Sequence, residues 1–253
     1  MDTAQRLLDI LEVFLEKEGK IGIVEISNLS NVNTSTAYRI ASDLVERGYL
    51  KQKEKRGKYS LGIKLLEFNA AIQRNLKIGE LAQPFLQKLS KLSGEYTEIA
   101  ILESSAAVTV AQAEVDHNLR ILNLVGERLP LHATSVGKIL LAHMNAADRK
   151  SYYAKGKLER FTDSTITDIN RLEQEIETIK KQGFAIDNEE YGLGVWAVAA
   201  PVYGQNGFPV AGLAIAAPSA RTFKAKRKEL ISLVQTSGLE ISRELGYKTQ
   251  ITK

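Results

Sequence analysis

The sequence predicts a two-part α+β protein: a small N-terminal winged helix-turn-helix, then a linker helix, then a larger domain mixing helices with a mainly antiparallel sheet. Three observations predict it. Three short helix-periodic segments fall within the first fifty residues, a basic hairpin follows them directly, and strand-like runs further on come in groups between helices rather than in strict alternation. The patterns place the winged helix-turn-helix at 1–62, the linker helix at 63–78 and the second domain at 79–253.

The first helix is predicted over Thr3 to Lys17, where Leu7, Leu8, Leu11, Phe14 and Leu15 recur at helical spacing, Asp2 or Thr3 can cap and Gly19 follows the last turn. A second short helix carries Val24, Ile26 and Leu29. A third carries Ala37, Ile40, Leu44 and Val45 on one stripe and stops at Gly48. Tyr49 and Leu50, then Tyr59 and Leu61, flank a turn at Arg56-Gly57 and read as a hairpin with a basic tip. Ile63, Leu66 and Ala70 mark the linker helix. Beyond it, a helix ends at Gly94, three strands are expected over 96–102, 108–115 and 119–125, and "SVGKILLAHM" and "DINRLEQEIETIKKQG" read as helices. "FAIDN", "VWAVAAPV" and "VAGLAIAAP" are strands, the last two joined by a turn with the Asn206-Gly207 hairpin signal, and Lys224 to Leu245 forms the final helix.

Composition narrows the function. The chain has 253 residues, 44% of them apolar, enough for one sizeable core and a small second one. With no cysteine, it has no disulfide framework, no thiolate metal site and no cysteine nucleophile. No apolar run reaches 18 residues, and Asp2 stands where a signal peptide would be basic, so a cytoplasmic protein is expected. The net charge of +4 favours polyanions only mildly, so the placement of charge matters more than its sum.

That placement is informative at the start of the third helix. Asn33, Thr34, Ser35 and Thr36 crowd its front, and Tyr38 and Arg39 follow outside the apolar stripe. Such a cluster is either a solvated cap or a face that meets DNA, because the second helix of a helix-turn-helix enters the major groove with its N-terminal residues leading. The hairpin favours DNA: Lys53, Lys55, Arg56 and Lys58 sit where a wing meets phosphates.

The second domain offers two candidate sites. "LPLHATSVGKILLAH" opens a helix at Thr134 or Ser135, and the small residues there leave its first N–H groups open to an anion, with a plain Thr/Ser cap as the alternative. Asp187, Glu189 and Glu190 lie between two strands before a Gly192/Gly194 loop. They raise the question of acid–base catalysis by Asp187 or Glu190, but no nucleophile or phosphate loop accompanies them, so no catalytic residue is assigned. His117, His132 and His143 show no metal-ligand spacing, and neither metal nor cofactor is expected. Trp196 reads as core or as a ligand platform.

The stretches "NTSTAYRIASDLVERGYL", "KYSLG", "LPLHATSVGKILLA", "GFAIDNEEYGLGVWAVAAPV" and "FPVAGLAIAAPSAR" together resemble the IclR family of bacterial transcription regulators over residues 1–245. The resemblance implies a GAF-like α/β effector-binding domain behind the winged helix-turn-helix, and a homodimer or homotetramer on a palindromic operator in double-stranded promoter DNA. It implies a repressor more readily than an activator, controlled by a small organic acid. Its effector contacts fall at Ser135, Val136, Asp187, Val195, Ala197, Ala214 and Ala216. Glyoxylate- and pyruvate-responsive members carry a thiol and two hydroxyls where this chain has Ala197, Ala214 and Ala216. A larger acid is therefore expected, a sugar-derived keto- or hydroxy-acid or a hydroxylated aromatic acid, with the sugar acids preferred because these wall positions include no aromatic.

Overall fold

The computed structural model describes residues 2–17, 19–54, 57–75, 77–117, 121, 123–154 and 156–248. It divides into two compact units, residues 1–75 and 76–253.

In the first unit, helices α1 (Thr3–Glu16), α2 (Ile23–Leu29) and α3 (Thr34–Glu46) precede an antiparallel hairpin of β1 (Leu50–Gln52) and β2 (Tyr59–Leu61), and α4 (Lys64–Asn75) follows. The Gln5 side chain accepts from the Asp2 N–H at 3.1 Å, so the predicted start of α1 holds. Ile10, Val13 and Phe14 of α1 meet Ile26, Ala37, Ile40, Ala41 and Leu44, and the wing closes this core with Leu50 and a buried Tyr59. Tyr59 also pairs with Ile21 by two main-chain bonds of 2.9 and 2.8 Å, which ties the hairpin to the chain ahead of α2.

The apolar stripes are narrower than the spacing predicts. In α1 the buried residues are Ile10, Val13 and Phe14, while Leu8 and Leu15 are exposed, Leu15 at 80%. In α2 only Ile26 of the three named apolar positions is buried, and Val24 and Leu29 face solvent. In α4, Ile63 just before it, Leu66 and Ile72 are exposed, and Phe68 sets its ring 5.8 Å from Tyr49.

The second unit is built on a six-stranded sheet, every neighbouring pair antiparallel as predicted. Its strands are β3 (Tyr96–Glu103), β4 (Ala106–Ala113), β5 (Arg128–Pro130), β6 (Ala185–Asn188), β7 (Val195–Tyr203) and β8 (Pro209–Pro218), in the order β5-β4-β3-β8-β7-β6. Helices α5 (Lys77–Ser93) and α9 (Lys224–Glu244) cover one face, and α6 (Ser135–His143) and α8 (Ile169–Gln182) the other. Alternation along the strands separates the two cores. Val198, Leu213 and Ile215 point toward α5 and α9 with Leu86, Leu89 and Val234; Ala199 and Ala214 point toward α6 and α8 with Ile139, Leu172 and Ile176.

The small residues on the second face let α6 lie close to the sheet. At Gly212 an added Cβ would stand 2.6 Å from Val136 Cγ2, and at Gly137 it would stand 2.5 Å from the Pro130 carbonyl. Neither position accepts a side chain without moving the start of α6.

Two elements differ from the sequence reading. Residues 121 and 123–125 are not strand; the chain rejoins the edge of β4 only where the Gly126 N–H donates to Thr109 O, and β5 follows. Helix α7 (Ala146–Ala154) was not anticipated, because it buries no residue fully and so shows no apolar stripe. Its start is nonetheless marked by Asn145, whose side chain accepts from the Asp148 N–H at 2.8 Å.

Candidate functional site

Two candidate sites take shape, one on the surface of the first unit and one inside the second. At the front of α3, Asn33 is the cap: its Oδ1 accepts from the Thr36 N–H and the Ser35 hydroxyl, each at 2.9 Å. The Thr34 hydroxyl lies 3.1 Å from the Ser27 hydroxyl, which in turn donates to Val32 O and fixes the turn between α2 and α3. Asn33 thus caps the helix, and Thr34 and Ser35 are exposed beside it. Tyr38 and Arg39, one turn on, are exposed and point away from the Ala37/Ile40/Leu44 core. In the wing, Lys53 and Lys58 are exposed, and Gln52 donates to Gly57 O at 2.8 Å across the hairpin. Lys55 and Arg56 lie outside the described residues.

The second site is a cavity of about 180 Å³ between the start of α6 and the sheet. That is small beside the roughly 300–1,000 Å³ of pockets for drug-sized ligands, and it suits a compact molecule. Strand register explains which residues line it. Asp187, Ala197, Ala216 and Tyr96 form one row across β6, β7, β8 and β3; Ala185, Ala199, Ala214 and Glu98 form the next. Ala197 and Ala216 make the floor, Asp187 stands at one side and Glu98 at the other, and Ser135 and Val136 come down from α6.

Each predicted residue can now be placed. Ser135, Val136, Asp187, Val195, Ala197 and Ala216 line the cavity. Ala214 does not: one row further along, it is buried in the core under α6 and α8. Trp196 faces the opposite side of the sheet, fully buried in the core of α5 and α9, with the Arg227 guanidinium 5.2 Å above its ring; it is no ligand platform. Glu189 stays at the surface outside the lining, and Glu190 is taken by Lys138. His132 sits between the Tyr152 hydroxyl and Glu159 O, and among the described residues no group of His, Asp and Glu could hold a metal ion.

Local geometry sets an open helix start beside a buried acid. Thr134 caps α6, accepting from the Gly137 N–H at 3.1 Å, and the preceding N–H groups of Ser135 and Val136 have no partner within the helix. Asp187 uses Oδ1 to accept from the N–H groups of Glu190, at 2.7 Å, and Tyr191, at 3.4 Å. Its Oδ2 makes no hydrogen bond among the described residues. Burial pushes its carboxyl up to about 7, partly offset by those N–H groups and by Lys138.

Behind this wall, Lys138 Nζ lies 2.6 Å from Glu190 Oε1 and 3.8 Å from Glu175 Oε1; the Lys138 side chain is 1% exposed. The pair ties the first turn of α6 to the turn that follows β6 and Asp187, and burial raises the Glu190 carboxyl while Lys138 pulls it back.

Five lining residues escaped the sequence reading: Glu98, Asn123, Ile121, Leu129 and Tyr191. Glu98 was the most visible of them, a charge in mid-strand on the same side as Tyr96 and Ala100, opposite the predicted Ala214. Tyr191 adds an aromatic that the named wall positions lack; it lines the cavity and meets Phe161 edge-on at 5.1 Å.

Comparison with known proteins finds matches in both parts of the chain. Residues 3–54 match the model of the IclR helix-turn-helix domain, and residues 70–243 match that of the bacterial transcriptional regulator IclR C-terminal domain. The chain is 31% identical to the HTH-type transcriptional regulator KdgR of Escherichia coli over 94% of its length and 92% of that protein's, and 30% identical to XynR of the same organism over 98% of each. Among solved structures, the IclR of Thermotoga maritima aligns with a TM-score of 0.79 at 29% identity, covering 97% of this chain and 99% of that one. An IclR homologue from Microbacterium hydrocarbonoxydans, complexed with 4-hydroxybenzoate, shares the fold with a TM-score of 0.84 at 22% identity, covering 96% and 99%.

Proposed function

The chain belongs to the IclR family of bacterial DNA-binding transcriptional regulators, and on that premise we propose that it is a repressor whose operator affinity is set by a small organic acid in the cavity at the start of α6. DNA binding is assigned to residues 1–62 and effector binding to 79–253, with 63–78 between them. Arg39 and Tyr38 are the base-reading candidates, Thr36 stands beside them, and Lys53 and Lys58 of the wing hold phosphates. The chain is not assigned an enzymatic role; turnover of an acid by purified protein would overturn that. It acts in the cytoplasm, on DNA.

The observation that carries the effector assignment is the meeting, in one cavity, of the open Ser135 and Val136 N–H groups with Asp187 over a floor of Ala197 and Ala216. Open N–H groups take a carboxylate. The free Oδ2 of Asp187 takes a hydroxyl and, when the carboxyl is ionised, repels a second carboxylate. The effector is therefore a monocarboxylate with a hydroxyl, either a sugar-derived keto- or hydroxy-acid or a hydroxylated aromatic acid such as the 4-hydroxybenzoate found on the same fold in the Microbacterium homologue. An effector controls the operator only by binding the DNA-competent and incompetent arrangements unequally. Calorimetry with glyoxylate and with both classes of acid, on wild type and Asp187→Ala, tests the pocket. Hydroxy-acid binding that drops in the variant supports it; tightest binding by glyoxylate, or affinity indifferent to Asp187, contradicts it.

The unit on DNA is proposed to be a two-fold symmetric dimer, or a tetramer made of two, on a palindromic site. A winged helix of this size reaches few bases, so affinity comes from two half-sites about one helical turn apart or a multiple of it. The exposed Leu8 and Leu15 of α1 are candidates for the interface. Sedimentation of a monomer on a full operator would refute the pairing.

A further inference from the structure

Glu98 is the feature of the cavity that the proposed function leaves unused. The residue is 3% exposed, at the end of the cavity away from Asp187 in strand order. Oε2 is well served: it accepts from the Thr109 hydroxyl at 2.9 Å and from Asn123 Nδ2 at 3.2 Å, and Tyr96 Oη lies 3.2 Å away. Among the described residues, Oε1 has only the long contact to Asn123 Nδ2 at 3.3 Å. Carboxylate oxygens accept up to two bonds each, so Oε1 retains capacity. No Lys, Arg or His lines the cavity among the described residues, and Lys138 is committed to Glu190. Burial accordingly raises Glu98 above the usual carboxylate range, as it does Asp187.

We propose that Glu98 is a second, specificity-determining contact of the effector cavity, so that the ligand it selects is a compact carboxylic acid with at least two separate donor groups, one for Asp187 and one for Glu98 Oε1. The inference rests on the effector assignment above and narrows it. An acid with a single hydroxyl satisfies Asp187 and leaves a buried carboxyl facing an unpaired ligand surface, which costs affinity. Either a hydroxyl or an ammonium group can be the second donor. An ammonium would also supply the positive charge that the lining lacks.

The test is calorimetry on the full chain with four six-carbon acids that differ in donors: D-gluconate, 2-amino-2-deoxy-D-gluconate, 6-hydroxyhexanoate and hexanoate. On wild-type protein at least one of the two multi-donor acids binds about tenfold or more tighter than 6-hydroxyhexanoate. In Glu98→Gln that gap closes to about threefold or less. A gap confined to the amino acid analogue identifies the second donor as ammonium; a gap for both identifies it as hydroxyl. The wild-type ladder stands even if the variant fails to fold. Equal affinity for gluconate, its amino analogue and 6-hydroxyhexanoate, or a gap that survives Glu98→Gln, overturns the Glu98 assignment while leaving the Asp187 pocket intact. Binding by none of the four overturns the Glu98 assignment and leaves the hydroxylated aromatic acids as the class for the Asp187 pocket.

Discussion

In the first unit the residues assigned to DNA, Arg39 and Tyr38 above all, stand outside a core made by Ile10, Ile40, Leu44 and Tyr59; in the second, the residues assigned to the effector, Asp187 and Glu98, are themselves buried. The surface site can be changed with little effect on folding. The buried site cannot, because each of its polar groups is desolvated and held by a partner whose loss is felt throughout the domain. Phosphates and base edges are large and come to a surface, whereas a small acid is recognised only if water is excluded from around it.

This contrast is sharpest at Lys138. Lys138→Met strands Glu190 as a buried carboxyl without its cation and should lower stability by about 3–5 kcal/mol, because the lost partner is not replaced by water. Effector binding should weaken as well, since the Glu190 N–H holds Asp187. Denaturant unfolding followed by calorimetry measures both. A change in stability under 1 kcal/mol, of the order seen for surface pairs, would erase the distinction between the two sites.

Asp187 should reveal itself through pH. Its folded carboxyl, raised to about 7, keeps a proton that an unfolded aspartic acid, with an ordinary value of about 3.9, has already lost. Between those two values the native state binds more protons than the unfolded one, so its contribution to stability falls as pH rises and levels off above about 7. Over that window the swing is on the order of 4 kcal/mol at most. Asp187→Asn removes the titration, so its stability relative to wild type should climb from pH 4 to pH 7 and stay flat beyond. A difference independent of pH would mean that the buried carboxyl does not titrate there. An anionic effector raises this carboxyl further, so wild-type affinity should also fall as pH rises through neutrality.

At the surface site the largest effect should be on DNA alone. Arg39→Ala should weaken specific operator binding by about 1–3 kcal/mol if Arg39 reads a base, with stability unchanged to within about 0.5 kcal/mol. An operator obtained by selection from random DNA allows anisotropy titration to check the first part and thermal unfolding the second. Lys58→Ala should act more weakly and without regard to sequence, reducing the slope of log affinity against log salt by about one unit if it holds one phosphate. A sequence-dependent loss there would put the wing in a groove rather than on the backbone.

Much of this organisation is written in the sequence, and the omissions have physical causes. The third helix was legible because Asn33 caps it, Ala37, Ile40 and Leu44 repeat at helical spacing, and Gly48 ends it. Asp187, Ala197 and Ala216 could be named together on family resemblance, but only strand register reveals that they form one row, and that Glu98 stands in the next. A glutamate in an otherwise apolar strand is a visible anomaly. Its partners Thr109 and Asn123 lie 11 and 25 residues away, so the pattern around Glu98 alone does not show that it is satisfied. Trp196 and Ala197 are neighbours in sequence and face opposite sides of the sheet, which separates core from cavity by a single residue. Of the strand expected over 119–125, the described residues 121 and 123–125 are not strand, and Asn123 turns its amide to Glu98 and its carbonyl to Tyr96 instead of pairing along an edge.

The central claim is that a buried acid-binding cavity governs an exposed DNA-binding face, and the operator itself reports on it. Anisotropy titration of the selected operator, with and without the acid that binds tightest by calorimetry, should be run on wild type, Asp187→Asn and Arg39→Ala. The account predicts that the acid shifts operator affinity about fivefold or more in wild type, that the shift vanishes in Asp187→Asn while unliganded operator binding persists, and that Arg39→Ala still binds the acid but not the operator. An operator affinity indifferent to the acid in wild type, or an equal shift in Asp187→Asn, would contradict it.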